Sequence, residues 1–505
     1  MNGETRTMLD LGPILNHGDE RHPRYRVLID GEWRDPVKGT YFEVTEPATG
    51  DVIGYVPRLS VEEVERAIDA AHAAKKAIRK IPAIERIEIL ERARHLLESE
   101  KDRFIEMIVR EAGKPIAVAK GEVHASFERM ALTMEEARAM HGEYIPGDWV
   151  KDTVGKFAVV RREPRGVVAA ITPFNYPLFI ATAKIVPALV SGNSVVVKPS
   201  SEDPIVLLML ARVLEQAGVP KGALNIVTGR GREVGDTLAS SPKIDMVTFT
   251  GSTPVGEHIA RVAGMKKLHL ELGGKGASLV LADANLDLAA RESVRGALRF
   301  SGQRCDAVDR ILVDAGVADA FVPKLLAEVA KYKIGDLRDP ATQIGPLITP
   351  EAVKTVDALV HDATAKGAKL LAGGTFRGQF YEPTVLDHVT LDMRVAWEES
   401  FGPVIPILRV EGIPEMIRIA NMSEYGLDAS VFTNDLYKAF GIAKRLEDGE
   451  VTINGAPAHG VGHFPFGGNK KSGVGREGIG ASIEEMTRQQ TIVVNLPPAS
   501  TPYGF

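Results

Sequence analysis

Cys305 is the only cysteine among 505 residues, in the run Phe300-Ser301-Gly302-Gln303-Arg304-Cys305-Asp306. A lone cysteine forms no intramolecular disulfide and supplies no thiolate-rich zinc site, so any chemistry it does is nucleophilic. The other reading is a small buried hydrophobe, the common fate of a free thiol. Gly302 permits close backbone approach, and Arg304 sets a cation beside the sulfur, which favours thiolate if the side chain turns inward. A nucleophile also needs a base and a donor for the developing oxyanion. Glu271, in His269-Leu270-Glu271-Leu272-Gly273-Gly274-Lys275, is a carboxylate at the end of an apolar strand: either a hydrated strand end or a base. Asn175, in Thr172-Pro173-Phe174-Asn175-Tyr176-Pro177, lies in a loop stiffened by two prolines: either a turn cap or an amide aimed at an oxyanion. No metal is expected.

Two glycine-bearing stretches bear on nucleotide binding. Gly229-Arg230-Gly231-Arg232-Glu233-Val234-Gly235 has one residue too many for G-x-G-x-x-G and reads as a glycine turn. In Met246-Val247-Thr248-Phe249-Thr250-Gly251-Ser252-Thr253-Pro254-Val255-Gly256 a strand runs into Gly-Ser-Thr and a helix with proline in its first turn. Such a junction aims free N–H groups and the helix dipole at an anion such as a pyrophosphate.

These residues must be held by a parallel sheet. Apolar runs at Val167 to Ile171, Ser194 to Val197, Leu224 to Val227, Met246 to Phe249 and Leu268 to Leu272 alternate with helical segments such as Ile205 to Ala217, the pattern of a doubly wound α/β domain. A second α/β series comes after Ala277, with strands at Ser278 to Leu281 and Arg310 to Val313 and helices at Leu286 to Phe300 and Val317 to Tyr332. Upstream, Tyr25 to Gly54 reads as short antiparallel strands. Ser60-Val61-Glu62-Glu63 is a capping box that opens a helical region to Met140, one helix of which stops at Gly113-Lys114-Pro115. These helices read as packing. The alternating run Val154 to Val160 reads as an exposed arm that Gln490 to Asn495 is suited to pair with.

Length and composition set outer bounds. The chain is too long for one core; it is 44% hydrophobic and 25% charged, with a formal net charge of -6 and no basic tract, so nucleic acid is not an expected partner. Met1 to Arg24 has no apolar h-region and is expected to be a loosely ordered extension. The apolar stretch Gly166 to Val197 is broken by Pro173, Asn175, Pro177, Lys184 and Asn193, so no membrane span and a cytoplasmic location are expected.

Seven motifs, Pro173-Phe174-Asn175, Lys198-Pro199-Ser200, Phe249-Thr250-Gly251-Ser252, Glu271-Leu272-Gly273-Gly274-Lys275, Gly302-Gln303-Arg304-Cys305, Glu399-Ser400-Phe401-Gly402-Pro403 and Pro465-Phe466-Gly467-Gly468, occur in an order and spacing that resembles the aldehyde dehydrogenase superfamily. The resemblance covers nearly everything after Tyr25. It implies an α/β fold with a Rossmann-type cofactor domain (25–150 and 163–276), an α/β catalytic domain (277–475) and a small β oligomerisation arm (151–162 and 476–505), after an extension at 1–24. It also implies that Cys305 attacks an aldehyde carbonyl, that Asn175 and the Cys305 N–H hold the oxyanion, and that Glu271 activates the water that hydrolyses the thioester. Such a base argues against the coenzyme A-acylating branch. By the same resemblance Thr172, Pro173, Phe174, Lys198, Ser200, Ser201, Gly231, Phe249, Thr250, Gly251, Ser252, Leu272, Gly273, Glu399 and Phe401 are the cofactor contacts.

Ser201 stands where members that prefer NAD often carry a glutamate. Without that carboxylate a 2′-phosphate is not repelled, so NADP is expected to be preferred and NAD possible; adjacent Glu202 works against this, and Arg230 or Arg232 is a candidate aid. The cysteine run, with Thr228-Gly229-Arg230-Gly231 and Asp392-Met393-Arg394-Val395-Ala396-Trp397-Glu398-Glu399, is most similar to the non-phosphorylating glyceraldehyde-3-phosphate dehydrogenases. A phosphorylated aldehyde is therefore the expected substrate, with Arg304, Tyr176, His459 and Arg129 as candidate contacts. Before the run Phe464 to Gly468 that branch carries an arginine, whereas here the stretch reads Gly455-Ala456-Pro457-Ala458-His459-Gly460, with His459 as the candidate substitute. A small unphosphorylated aldehyde is the alternative; a silent protein on this fold, or a thioesterase using Cys305 without nicotinamide, are the other classes. A homo-oligomer, a tetramer built as a dimer of dimers, is expected.

Overall fold

Gly166 marks the start of a six-stranded sheet whose spatial order is Leu224–Ile226, Ser194–Lys198, Val167–Ile171, Met246–Thr250, Lys267–Glu271 and Gly473–Val474; all pair in parallel except the last. The first five strands are buried almost throughout, which explains why they read as continuous apolar runs rather than alternating ones. Chain order reverses between Val167–Ile171 and Met246–Thr250, and the crevice at their carboxyl ends is where such sheets bind ligands. The computed structural model describes residues 9–16, 22–460 and 462–496.

The helical region is Val61–Lys80, Ala83–Ser99, Lys101–Ala112 and Ile116–Ala139. The Ser60 and Glu63 capping box forms, but Val61 is exposed while Val64, Ile68 and Ala71 face the core. Gly113 adopts φ 66°, the left-handed conformation that ends a helix at a glycine. These helices do more than pack: Glu111, Glu122 and Arg129 are buried on them, and Lys114 in the turn between the last two helices. The helix Pro177–Val190 is buried along its whole length, Lys184 included.

The second sheet has seven strands in the order Lys369–Ala372, Thr384–Asp387, Val404–Val410, Val308–Asp314, Gly276–Val280, Asp428–Phe432 and Glu450–Ile453, with only the first edge antiparallel. The helix Leu286–Leu298 feeds the cysteine loop from one of its faces. Thr487–Asn495 pairs antiparallel with Lys156–Pro164, Thr491 opposite Val160, and Glu143–Pro146 adds a third strand. The arm strand starts two residues later than its alternation suggests because Gly155 turns the chain at φ 79°. Among the described residues of 476–496, Ile479–Glu485 is a helix against Ile116–Ala139, and the strand Thr487–Asn495 enters the arm.

The extension is not loose where it is described. Leu9 and Ile14 are buried in the first core, and the Arg212 Nε donates to the Asp10 carbonyl at 2.7 Å. Apolar residues at that spacing have a surface to cover. The remainder of 1–24, and 497–505, lie outside the described residues. Among the described residues no helix is long and apolar enough to cross a membrane.

Candidate active site

One cleft of about 1200 Å³ opens at the carboxyl ends of the first sheet. Its walls bring together Thr172, Pro173, Phe174, Asn175, Lys198, Ser200, Ser201, Gly231, Phe249, Thr250, Gly251, Ser252, Glu271, Leu272, Gly273, Cys305, Glu399 and Phe401. Arg129, Tyr176, Arg304 and His459 are not on that wall. At one end Ser252 stands at the N-cap position of Thr253–Val262 without a side-chain cap bond, and Pro254 is in the first turn, so this helix starts with free N–H groups at the cleft wall. Gly256 lies so close to Leu272 that any Cβ would collide with it, which seats this helix against the sheet. The Thr250 Oγ1 is buried without a hydrogen-bond partner among the described residues. Burial brings Lys198 down to about 8, and its Nζ donates to the Pro199 carbonyl at 3.0 Å. Ser201 Oγ donates to the Gly229 carbonyl at 3.3 Å; the stretch expected as a glycine turn is instead a helical turn, Gly231–Gly235, running into the helix Asp236–Ser240, and it brings Gly231, Arg232 and Gly235 to the wall.

Cys305 is delivered by strained backbone. Phe300 and Ser301 stand at φ 51° and 55°, followed by Gly302 at 74°, three successive left-handed residues. Remote bonds hold them. Ser301 Oγ donates to the Gly345 carbonyl at 2.8 Å and Gln303 Nε2 to the Pro346 carbonyl at 3.2 Å; Gln303 Oε1 accepts from the Ile348 N–H at 2.9 Å. A Cβ on Gly302 would meet the Gly402 carbonyl.

Arg304 does not act on the sulfur as its position suggests. Its Nε and Nη2 fork onto the Asp306 carboxylate at 3.0 and 2.6 Å, and Nη2 also reaches the Pro457 carbonyl at 3.3 Å. Burial opposes ionisation of Asp306, but Arg304 holds its carboxyl below the ordinary range. Burial, with Asp306 and Asp428 next, pushes the Cys305 thiol well above its usual value. That direction favours the thiol form, with burial as the main cause, and the cation beside the sulfur is taken up by a carboxylate of the same loop.

Glu271 ends the strand Lys267–Glu271, and His269, two residues earlier, is on the same face. His269 Nε2 lies 3.1 Å from Glu271 Oε1, whereas Oε2 is buried with no partner among the described residues. Burial, then Glu477, raises the Glu271 carboxyl well above its ordinary value. His269, Glu271 and Glu477 set ligand-type atoms within 4.8 Å of one another. Lys184 and Arg129 stand 3.7 and 3.9 Å from Glu477, so two side-chain cations already face its carboxylate. Glu399 Oε1 accepts from the Gly274 N–H at 3.2 Å, and burial with Asp309 lifts that carboxyl to about 8.

The asparagine loop is fixed from behind. Glu122 Oε1 accepts from the N–H groups of Leu178 and Phe179 at 2.9 and 3.2 Å, and its other oxygen pairs with Lys114. The Lys114 ammonium sits 3.8 Å above the Tyr176 ring and 4.5 Å from the Phe300 ring, joining the asparagine and cysteine loops through one buried cation. Arg129, a candidate substrate contact, is buried and donates to the Gly478 carbonyl at 2.9 Å and to Ser482 Oγ at 3.1 Å. His459 stacks on Phe466 at 4.4 Å and lies 3.9 Å from Glu477. Lys114, Glu122, Lys184, His269 and Glu477 were not singled out by the sequence. A usable signal existed for Lys184, since a lone lysine inside an apolar helix must find a partner.

The family described as "Aldehyde dehydrogenase family" matches residues 33–492. An NADP-dependent glyceraldehyde-3-phosphate dehydrogenase of Streptococcus equinus is 44% identical over 474 residues, 94% of this chain and 99% of that protein. A 3-sulfolactaldehyde dehydrogenase of Priestia aryabhattai is 40% identical over 473 residues, 94% of this chain and 98% of that protein. The crystal structure of an NADP-dependent glyceraldehyde-3-phosphate dehydrogenase from Bacillus halodurans, complexed with NADP, superposes with a TM-score of 0.92 at 44% identity, covering 94% of this chain and 99% of that one.

Proposed function

The chain belongs to the aldehyde dehydrogenase family, and on that premise we propose that it oxidises glyceraldehyde 3-phosphate to 3-phosphoglycerate with NADP as its preferred oxidant, through a thioester on Cys305. One observation carries the reading: a single cleft joins the nucleotide-type wall at Lys198, Ser201 and Ser252 to Cys305, Glu271 and Asn175. The wall fits a dinucleotide. Thr250 offers an unused hydroxyl, Ser252 opens a helix N-terminus, and a Cβ on Gly273 would meet Glu399. Ser201 in place of a carboxylate, with Arg232 on the same wall, favours the 2′-phosphate.

Cys305 releases its proton to solvent as the sulfur adds to the aldehyde carbon, and the Asn175 amide with the Cys305 N–H receives the oxyanion. When bound, NADP supplies the two-electron oxidant that turns this adduct into a thioester. Glu271 then takes a proton from the water that attacks the thioester, the acid leaves, and Cys305 regains its proton. Arg304 and Tyr176 stay the candidate contacts for an anionic group, from behind the cleft wall, with the Arg304 Nε and Nη2 already committed to Asp306. The exposed apolar residues Tyr144, Ile145, Ile492 and Val493 of the arm favour a homo-oligomer, which light scattering measures. A cytoplasmic location goes with this reading.

The test is reduced-cofactor formation from glyceraldehyde 3-phosphate with NADP and then NAD, with and without orthophosphate. Turnover is expected to be independent of orthophosphate and faster with NADP. A requirement for orthophosphate, or equal use of propanal, overturns the assignment. The relative that acts on 3-sulfolactaldehyde supports a second reading, a sulfonated aldehyde; higher kcat/KM for that substrate would favour it.

A further inference from the structure

Parallel register places Thr248 beside His269 and Thr250 beside Glu271 on neighbouring strands. Thr248 Oγ1 lies 2.9 Å from His269 Nδ1 and accepts from Lys184 Nζ at 3.1 Å; His269 Nε2 lies 3.1 Å from Glu271 Oε1. The four groups form one buried chain, and its polarity is set by its first member. An ammonium only donates, so Thr248 receives a hydrogen from Lys184 and must send its own to a different acceptor. The acceptor within reach is His269 Nδ1. That fixes the neutral imidazole with its hydrogen on Nε2, pointing at Glu271 Oε1. Burial, then Lys184, brings His269 down to about 3, so the ring is neutral throughout the working range.

We propose that His269 is a positioning residue for Glu271: its Nε2–H occupies Oε1 permanently as an acceptor, so the proton that Glu271 takes and returns rides on Oε2, the oxygen without a partner. This rests on Glu271 being the base. Other charged groups face the pair: Glu477 and Arg476 from the segment after Gly473–Val474, Arg129 from its helix, Glu485 from Ile479–Glu485, and Lys267 from the same strand. None of them is hydrogen-bonded to Glu271 Oε1 among the described residues, so the donor at 3.1 Å is what selects the oxygen. A donor on a carboxylate also favours its ionised form against the burial that disfavours it. The base is thereby available at a lower pH than burial alone would allow.

The test compares His269→Leu, which removes the donor, with His269→Gln, which returns an N–H near the position of Nε2, and with Thr248→Val, which frees the tautomer. Two readouts are needed: the burst of reduced cofactor, which reports acylation, and the pH profile of kcat, which reports deacylation when that step limits. In His269→Leu the acid limb of kcat is expected to move up by about one pH unit, a roughly tenfold loss on that limb, with the burst rate kept within about twofold. His269→Gln is expected to restore most of the limb, and Thr248→Val to fall between. An unmoved limb in His269→Leu, or a His269→Gln enzyme as impaired as it, overturns the proposal. If His269→Leu does not fold, Thr248→Val decides alone: an unmoved limb overturns the proposal. Glu271→Gln separates the two levels. If it keeps wild-type turnover the base assignment itself fails; if it keeps the burst and loses deacylation while His269→Leu leaves the limb in place, only the role of His269 fails.

Discussion

Cys305 and Glu271 line the same cleft from opposite kinds of backbone. Glu271 ends a buried strand, where register alone decides that His269 shares its face and Thr250 lies beside it. Cys305 comes after left-handed residues that no local preference favours, held by bonds to 345–348 and by the approach of Gly402. The base is placed by periodic structure and the nucleophile by distant anchors. Changes to the loop should therefore spread through the fold, while changes at strand ends should stay local.

The largest break is expected at Arg304. Arg304→Ala leaves Asp306 buried without its guanidinium, a loss of about 3–5 kcal/mol for half of a buried pair. Replacing both residues by leucine should recover most of the stability measured by denaturant unfolding, though not the activity on an anionic aldehyde. A single variant as stable as wild type would show that the pair does not hold the loop.

Gly302→Ala comes next. It adds a Cβ against the Gly402 carbonyl at a left-handed φ, together about 2–4 kcal/mol, and should displace Cys305 enough to lower kcat more than KM. Unfolding and steady-state kinetics measure both. An Ala variant with native kcat would mean that the loop tolerates a different path.

The parts legible in the sequence divide along the same line. Strands such as Val167–Ile171 and Met246–Thr250 could be bounded to within a residue because buried parallel strands are continuous apolar runs. The cofactor residues of the cleft wall could be collected through the motifs that resemble the aldehyde dehydrogenases; His258, Ile259 and Arg261, which also line it from the helix Thr253–Val262, lie outside those motifs. What joins the loops was not legible. Lys114 reads as a helix-stop residue, and only the fold brings it against Tyr176 and Phe300. Arg304 misleads for the same reason: its neighbour in sequence is the sulfur, but its partner in space is Asp306.

The state of the thiol gives a smaller, pH-dependent contrast. With its acidity weakened by burial and by Asp306, Cys305 is protonated at neutral pH, and alkylation of the free enzyme by iodoacetamide should climb about tenfold per pH unit between 7 and 9. A plateau near neutrality would mean that the cation of Arg304 does reach the sulfur after all.

The smallest effect is expected at the strand end, at Thr250. Its hydroxyl is buried without a partner among the described residues, so Thr250→Val removes a group that the free protein does not use. Replacing such a group by an apolar one of the same shape is close to neutral, so stability without cofactor should stay within about 1 kcal/mol of wild type. If the hydroxyl is kept for the nucleotide, the loss appears only on binding: one hydrogen bond, about 0.5–1.5 kcal/mol, or a roughly two- to tenfold higher Kd for NADP by calorimetry. A stability loss as large as that of Gly302→Ala would erase the difference between the two regions. Unchanged stability with weakened NADP binding would sharpen it, because a strand end would then have shed a ligand contact without disturbing the fold that presents it.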